Sequence, residues 1–183
     1  MHTIANDMRY FLALQPPPPL GAEVLAFRAQ WAVLDTPPHI TVKAPCGLGT
    51  ADTWLPTVRQ ICQVTSPISV RVEGVSSFGQ TVLTLRVASP EMVALHLRLI
   101  NALTISAVDQ ATCFEGTRYS PHLTLLYAQS LREHTFSAVS QAAHERFATP
   151  QSFRAEKLAV YRKGPGEPYS HHLDLPLLGS FAS

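Results

Sequence analysis

The chain has 183 residues, of which 46% are hydrophobic and 15% charged, a composition that is typical of a folded globular domain and excludes a disordered chain. Its net charge of +1 excludes a broad electrostatic surface for nucleic acid, so a polyanion would have to be held at a local site. The opening residues lack the charged start and apolar run of a signal peptide, and no apolar stretch approaches the ~20 residues of a membrane span. We therefore expect a cytoplasmic protein without a membrane contact.

The pattern of apolar residues predicts the same order of elements in each half of the chain: strand, helix, strand, helix, strand. In the first half these are a strand at residues 8–15, stopped by prolines 16–19, a helix at 20–34, a strand at 39–44, a helix at 51–65 and a strand at 68–75. In the second half they are a strand at 81–87, a helix from 90 to 102–106, a strand at 121–127, a helix from 130 to 147 and a strand at 153–161. Ser89 as N-cap and a capping box at 130–133 mark two of the helix starts. A turn-rich loop at 163–168 and a closing strand at 171–175 follow.

This order of elements predicts the fold class. A strand–helix–strand crossover places strands side by side and helices on one face of the sheet. We therefore predict an α+β fold in one domain, 1–183, built as a bilobal, pseudo-symmetric pair of duplicated β-α-β-α-β lobes at 1–78 and 79–183. Two mostly antiparallel sheets would face a central cleft.

Three cysteines, Cys46, Cys62 and Cys113, bear on the compartment and on metal binding. Their number is odd and no pair has C-x-x-C spacing, which favours a reducing compartment and argues against a zinc knuckle. The chain also lacks a Walker loop and a Gly-rich dinucleotide fingerprint. We expect no metal and no cofactor.

One five-residue phrase occurs in both halves: residues 38–42 read Pro-His-Ile-Thr-Val, and residues 121–125 read Pro-His-Leu-Thr-Leu. Composition alone gives roughly 0.003 copies of such a phrase, so its repetition is informative where a single His-x-Thr would not be. Residues i and i+2 of a strand share a face, so His39 points with Thr41 and His122 points with Thr124. Each lobe would thus present one His-Thr face to the cleft.

Two imidazoles can divide acid–base work, since one removes a proton from a nucleophile while the other protonates a leaving oxygen. Their ordinary pKa values lie near neutral pH, as this role requires. Cleavage of a 2′,3′-cyclic phosphate suits the arrangement, because water attacks phosphorus on one side and a ribose oxygen leaves on the other. The hydroxyl groups of Thr41 and Thr124 would bind phosphate oxygens, and no metal is needed.

Other residues near the two phrases are candidates for substrate contacts. Lys43 continues the face of His39 and Thr41, so we predict that it binds phosphate, with a solvated strand end as the alternative. Four further candidate contacts are Tyr119, Tyr127, Tyr169 and Arg118. The alternative for the tyrosines is packing with a wet hydroxyl, and for the arginine a solvated loop position. Three helix histidines, His96, His134 and His144, are predicted to lie at the surface.

These motifs resemble the two-histidine phosphoesterase superfamily, and within it the bacterial LigT-like, 2′-5′ RNA ligase-like family. The tandem His-x-Thr phrases are the hallmark of that family. The opening Arg-Tyr-Phe-Leu-Ala-Leu at 9–14 is similar to its first strand, and residues 158–173 are similar to its closing strand, Gly-rich loop and following tyrosine. The chain departs from the family at 43–45, which read Lys-Ala-Pro where many members carry Phe and Gly, so the pocket beside His39 is expected to differ.

The resemblance implies a function as well as a fold. It implies that His39 and His122 form the catalytic pair, that Thr41 and Thr124 bind phosphate, and that the protein hydrolyses 2′,3′-cyclic phosphates of RNA ends or nucleotides. Some members also catalyse reversible 2′-5′ ligation. The two motifs are symmetric, and family analogy alone favours His39 as acid and His122 as base. We expect a monomer whose partner is an RNA end or a small cyclic nucleotide.

Two other functions stay open at this point. The first is a non-catalytic RNA-end or nucleotide-binding module that retains the cleft. The second is a thiol enzyme that uses Cys46 or Cys113.

Overall fold

A computed structural model describes residues 8–50, 52–132 and 134–179 of the chain. In chain order the elements are β1 (Arg9–Leu14), α1 (Pro18–Trp31), β2 (Ile40–Lys43), α2 (Leu55–Gln63), β3 (Ile68–Phe78), β4 (Val82–Ala88), α3 (Pro90–Ala102), α4 (Ala107–Thr112), β5 (His122–Tyr127), α5 (Phe136–Arg146), β6 (Gln151–Ala155), β7 (Lys157–Lys163) and β8 (Ser170–Pro176). The α+β class predicted from the sequence is confirmed.

The strands form one eight-stranded sheet in the order β6-β3-β4-β5-β2-β1-β7-β8, and every neighbouring pair is antiparallel. The two predicted sheets are its two halves, β6-β3-β4-β5 and β2-β1-β7-β8, which are joined where Ile40 of β2 pairs with Leu123 of β5. The β6-β3-β4-β5 half comes from the middle of the chain, residues 68–155, whereas the β2-β1-β7-β8 half combines strands from both ends of the sequence. The halves of the sheet therefore do not follow a division of the chain near residue 78.

The single strand predicted at 153–161 was wrong, because β6 and β7 are separate strands on either side of Glu156. β6 pairs with β3 at one edge of the sheet, and β7 pairs with β1 near the other. One intervening residue spans no more than about 7 Å, so the two halves must come together at this point. The sheet is therefore strongly curved, and the space between its halves is closed at the end where β6 passes to β7.

Several helix boundaries also differ from the prediction. α1 begins at Pro18, within the proline run expected to stop the preceding strand, because the first N–H groups of a helix have no helical partner and proline is tolerated there. α5 begins at Phe136 with Thr135 as N-cap, whereas Ser130 ends a short 3-10 helix. Glu133 of the predicted capping box lies outside the described residues. The Ser89 N-cap is confirmed, since its hydroxyl accepts the N–H of Met92 at 3.2 Å.

One face of the sheet packs against α1, α2, α3 and α5 and holds the main apolar core. Its buried members include Leu12, Val24, Val58, Leu85, Leu95 and Val139. The other face carries a smaller cluster of Phe11, Ala13, Ala159 and Tyr161, with Tyr169 packed against it. Because the main-core helices cover one face, the opposite face is the one that a ligand can reach.

The cysteines differ from the sequence expectation. Cys46 and Cys113 form a disulfide that links the loop after β2 to the segment after α4, whereas the spacing had favoured a reducing compartment. Cys62 is buried, and burial raises the pKa of its thiol to about 12. These three environments give no reactive thiolate and disfavour the thiol-enzyme hypothesis. None of the helices in the described ranges has the length and hydropathy needed to cross a membrane.

Candidate active site

The side chains of His39 and His122 are held in the same way. Nδ1 of His39 lies 2.7 Å from the carbonyl oxygen of Pro37, and Nδ1 of His122 lies 2.7 Å from that of Ser120. A carbonyl oxygen only accepts hydrogen bonds, so Nδ1 is the donor in both rings and Nε2 of the neutral ring carries the lone pair. In each phrase a proline separates the histidine from the accepting carbonyl, which restricts the backbone at that point. The repeated phrase therefore fixes the tautomer of both rings.

A β-bulge follows each His-x-Thr segment at the same position. Thr41 pairs with Ala13 and Lys43 with Leu12 on β1, so Val42 is the extra residue in β2. On β5, Thr124 pairs with Thr84 and Leu126 with Leu83, so Leu125 is the extra residue. A bulge shifts the side-chain alternation by one residue. The duplication thus extends beyond the phrase itself to the local geometry of the two strands.

This bulge explains why the phosphate-binding role predicted for Lys43 was wrong. Simple alternation had placed Lys43 on the face of His39, but after the bulge it pairs with core residue Leu12. Its ammonium group is fully buried and donates to Glu115 at 3.0 Å and to the carbonyl oxygens of Ala44 and Cys46 at 2.7 and 2.6 Å. Burial lowers the pKa of Lys43, while Glu115 acts in the opposite direction. Lys43 therefore stabilises the structure behind the first histidine strand.

The Ile40–Leu123 pair sets the relation between the two phrases. Continuing this antiparallel register places His39 across from Thr124, and Thr41 across from His122. Residues opposite each other on neighbouring strands are close enough for their side chains to meet. The two copies therefore bring both histidines and both threonines to one area of the ligand-accessible face, as the sequence predicted.

The threonine hydroxyls are free for a ligand within the described part of the chain. The side-chain hydrogen bonds found at these residues go to their carbonyl oxygens, from Tyr119 to Thr41 at 2.7 Å and from Arg28 to Thr124 at 2.5 Å. Both threonines are only partly buried. A phosphate group between the two histidines could accept from both hydroxyls.

Aromatic rings surround the two histidines unequally. His39 packs against Phe11 and Tyr161, with ring centroids 4.7 and 5.7 Å away, whereas His122 meets the edge of Phe78 at 4.9 Å. Burial lowers the pKa of His39 to about 4, and the charges of Arg28 and His122 add to that effect. Burial also lowers the pKa of His122. Both rings are therefore neutral at pH 7 in the free protein.

The four candidate substrate contacts have different environments. Tyr119 supports β2, because its hydroxyl donates to Thr41 and burial raises its pKa, which argues against substrate contact. Tyr127 is 39% exposed and follows the bulge on β5. Tyr169 meets the edge of Phe11 at 4.7 Å and lies under the ammonium group of Lys163. The exposed Arg118 stacks its guanidinium 4.5 Å from the ring of Phe114.

Sequence reasoning missed two residues next to the histidine strands. His96 is fully buried, so its prediction as a surface histidine was wrong, whereas His134 and His144 are exposed as predicted. Arg28 is 3% exposed, and on α1 it follows the buried apolar residues Leu20 and Val24 at helical spacing. A charged residue within an apolar stripe was the one available indication that Arg28 is buried.

A cleft of about 450 Å³ lies beside the first phrase, at the closed end of the curved sheet. Pro37 and Pro38 line it together with Gln15, Tyr161 and Lys157, and the amide of Gln15 donates to the hydroxyl of Tyr161 at 3.0 Å. Across residues 8–50, 52–132 and 134–179, no three His, Cys, Asp or Glu side chains are grouped in a way that could hold a metal ion.

A profile of the 2′-5′ RNA ligase superfamily matches residues 16–167. The chain belongs to this superfamily. The match includes both His-x-Thr phrases and the whole of β2 and β5, which carry them. Membership in this group of phosphoesterases and RNA ligases supports phosphoesterase-type activity.

Solved structures have the same fold. TT0787 of Thermus thermophilus is 16% identical with a TM-score of 0.65, and the alignment covers 94% of this chain and 100% of that one. LigT of E. coli complexed with NADP+ is 16% identical with a TM-score of 0.57, covering 94% and 99%. LigT complexed with 3′-AMP is 13% identical with a TM-score of 0.58, covering 94% and 99%. No curated protein matches the chain.

Proposed function

We propose that the protein is a metal-independent phosphodiesterase that hydrolyses 2′,3′-cyclic phosphates of RNA ends or nucleotides. The observation that carries this proposal is the crossed arrangement of two His-Thr pairs about Ile40 and Leu123. Each histidine has its Nδ1 bound to a backbone carbonyl, which leaves Nε2 for proton transfer. One chain supplies both histidines, so the proposal is for a monomer.

The reaction would use the two rings on opposite sides of the phosphate. The neutral imidazole acts as base and takes a proton from water at Nε2, while the water oxygen forms a bond to phosphorus. The bond from phosphorus to one ribose oxygen breaks, and the second imidazole, protonated at Nε2 once the negative charge of the bound phosphate has raised its pKa, gives its proton to that oxygen. The product is a nucleoside phosphomonoester, and the two histidines have exchanged protonation states.

Differences in burial favour an assignment of these roles. Burial against Phe11 and Tyr161 lowers the pKa of His39 to about 4, which keeps this ring neutral and able to accept a proton. His122, whose pKa burial also lowers, lies beside the exposed Arg86 and, among the described aromatic rings, meets only the edge of Phe78. We therefore propose His39 as base and His122 as acid. This order is the reverse of the one that family analogy favours, and a substrate whose leaving group needs no proton distinguishes the two.

Phosphate binding would come from the hydroxyls of Thr41 and Thr124, which lie across from the histidine of the other copy. With Lys43 directed away, Arg86 supplies positive charge, because it pairs with His122 across β4 and β5. The guanidinium is 64% exposed and also contacts Glu73 at 3.1 Å. Aromatic groups at Phe78, Tyr127 and Tyr169 offer surfaces for a nucleobase.

Two further observations support a nucleotide substrate. E. coli LigT, which has the same fold, has been solved with NADP+ and with 3′-AMP. The cleft of about 450 Å³ adjoins the first phrase through Pro37 and Pro38, but neither histidine lines it, so it would take a part of the nucleotide away from the phosphate. The family match also favours a second reaction, reversible 2′-5′ ligation, in which a ribose hydroxyl replaces water as the nucleophile.

Hydrolysis of the four 2′,3′-cyclic nucleotides and of a short RNA with a cyclic end tests this proposal, with EDTA present. We expect turnover to one phosphomonoester isomer. Binding of these substrates without turnover would instead support the non-catalytic binding module. Adding an RNA with a free 5′ hydroxyl to the cyclic-ended RNA tests ligation in the same experiment.

A further inference from the structure

We propose that Arg28 and His96 are positioning residues, which set the orientation of the two histidine strands through the carbonyl groups at their bulges. This inference rests on the proposed two-histidine reaction. The extra residue of a bulge is left unpaired in the sheet, so its carbonyl group requires a donor from elsewhere. The extra residues here are Val42 and Leu125.

Arg28 meets this requirement on the second histidine strand. Its Nε donates to the carbonyl oxygen of Leu125 at 3.0 Å, and one terminal nitrogen donates to that of Thr124 at 2.5 Å. The other terminal nitrogen donates to the carbonyl oxygen of Thr36 at 2.7 Å, three residues before His39. One rigid guanidinium group therefore ties the segment entering the first histidine strand to the segment leaving the second histidine.

His96 meets the same requirement on the first strand. Its Nδ1 lies 2.7 Å from the carbonyl oxygen of Val42, and its Nε2 accepts the N–H of Gly116 at 2.9 Å. Tyr119 stacks on His96 with ring centroids 3.9 Å apart and donates to the carbonyl oxygen of Thr41. His96 and Tyr119 together therefore bind the two carbonyls that correspond to those bound by Arg28 in the other copy.

Each donor belongs to a helix that follows the other half of the sheet. Arg28 lies on α1, which follows β1, but it binds β5; His96 lies on α3, which follows β4, but it binds β2. Burial lowers the pKa of Arg28 to about 10, so it remains charged at neutral pH. A buried guanidinium bound to three carbonyl groups costs desolvation energy, so a hydrophobic residue would suffice if packing were its only role.

The test compares kcat and KM for 2′,3′-cyclic AMP in pairs of variants. Arg28→Lys keeps the positive charge but loses the planar guanidinium that donates to three carbonyl groups. His96→Phe keeps the stacking on Tyr119 but loses both hydrogen bonds of the imidazole. We expect kcat to fall about 10- to 100-fold in each, with KM changed less than about threefold, as misplaced catalytic groups predict. His96→Gln, which retains a donor and an acceptor, should recover most of kcat.

Val24→Ala and Leu99→Ala are matched controls, because they shorten fully buried side chains on the same two helices. They should lower the melting temperature but leave kcat within about twofold of the unmodified protein. Well-folded Arg28→Lys and His96→Phe variants with a kcat loss no larger than that of these controls would overturn the proposal.

NMR of the imidazole protons keeps this test separate from the proposed function. Absence of turnover in the unmodified protein would contradict the proposed phosphodiesterase activity. The NMR signals of the His39 and His122 rings would still report whether Arg28 and His96 position them. We expect Arg28→Lys to shift the signals of both His39 and His122, and His96→Phe to shift those of His39 more than those of His122. Unchanged signals in both variants would overturn the positioning role.

Discussion

Ile40 and Leu123 pair across β2 and β5, and around this pair the two halves of the molecule present matching His-Thr faces. Their own side chains are fully buried in the main core. The polar residues on either side therefore share the opposite face, with each threonine across from the histidine of the other copy. A phosphate held at this point would have one imidazole on each side of it.

Replacing Thr41 or Thr124 by valine should lower kcat about 100-fold, because each hydroxyl is proposed to stabilise a phosphate oxygen in the transition state. Valine has nearly the same shape and also favours strands, so the melting temperature should change little. Steady-state kinetics on a 2′,3′-cyclic nucleotide gives the effect. Thr84→Val serves as control, because this buried threonine neighbours Thr124 on β4 but donates to the carbonyl oxygen of Ser76. Equal losses in all three variants would contradict a specific role for Thr41 and Thr124.

The proposed acid and base can be told apart with a nucleoside nitrophenyl phosphodiester. Nitrophenolate leaves without being protonated, so the acid becomes dispensable while the base does not. We expect His122→Ala to retain activity on this substrate and His39→Ala to lose it, relative to the cyclic nucleotide on which both lose activity. The opposite pattern would reverse the assignment of the two roles.

The lowered pKa of His39 makes stability depend on pH. The pKa is about 4 in the folded protein and 6.5 in the unfolded chain, so the unfolded chain takes up a proton first as pH falls. The neutral His39 ring therefore adds to the free energy of unfolding above pH 6.5. This contribution, at most about 3 kcal/mol, is lost as the pH falls from 6.5 to about 4.

Urea unfolding at intervals between pH 4 and pH 8 measures this loss. His122 and His96 act in the same direction, since burial lowers their pKa values too. In His39→Asn, the free energy of unfolding should depend less steeply on pH, because one fewer proton is taken up on unfolding. An unchanged slope in that variant would show that His39 titrates normally in the folded protein.

The buried ion pair of Lys43 and Glu115 should affect stability and not substrate binding. Lys43→Met leaves a buried carboxylate without its partner, which typically costs about 3–5 kcal/mol. The double variant Lys43→Met with Glu115→Gln removes both charges and should recover part of that loss. In the double variant we expect KM for the cyclic nucleotide to stay within about twofold. A tenfold increase in KM would instead support the role in phosphate binding that the sequence predicted for Lys43.

Local pattern was sufficient to predict the α+β class and the shared face of each His-Thr pair, because alternation along a strand depends on neighbouring residues only. For Lys43, simple alternation along the strand predicts the wrong face. Its side chain turns away from His39 because Val42 is the extra residue of a bulge, and bulges depend on the partner strand. The same holds for the passage from β6 to β7, where an uninterrupted strand-like segment changes partners at Glu156.

Buried polar residues were the other feature that sequence could not predict. His96 looks like a surface residue on an amphipathic helix, yet its ring lies between the carbonyl of Val42 and the N–H of Gly116. Its burial becomes favourable only once these two groups are in place. Arg28 likewise depends on three carbonyl groups that come together only in the folded protein.

Hydrolysis of 2′,3′-cyclic nucleotides in EDTA by the unmodified protein, His39→Asn and His122→Asn tests the central claim most directly. Circular dichroism and the melting temperature establish that the variants are folded. We predict metal-independent turnover by the unmodified protein and a loss of at least about 1000-fold in kcat/KM for each variant, because general acid–base catalysis and nucleophile activation act together. Turnover that persists in either folded variant would contradict the two-histidine mechanism.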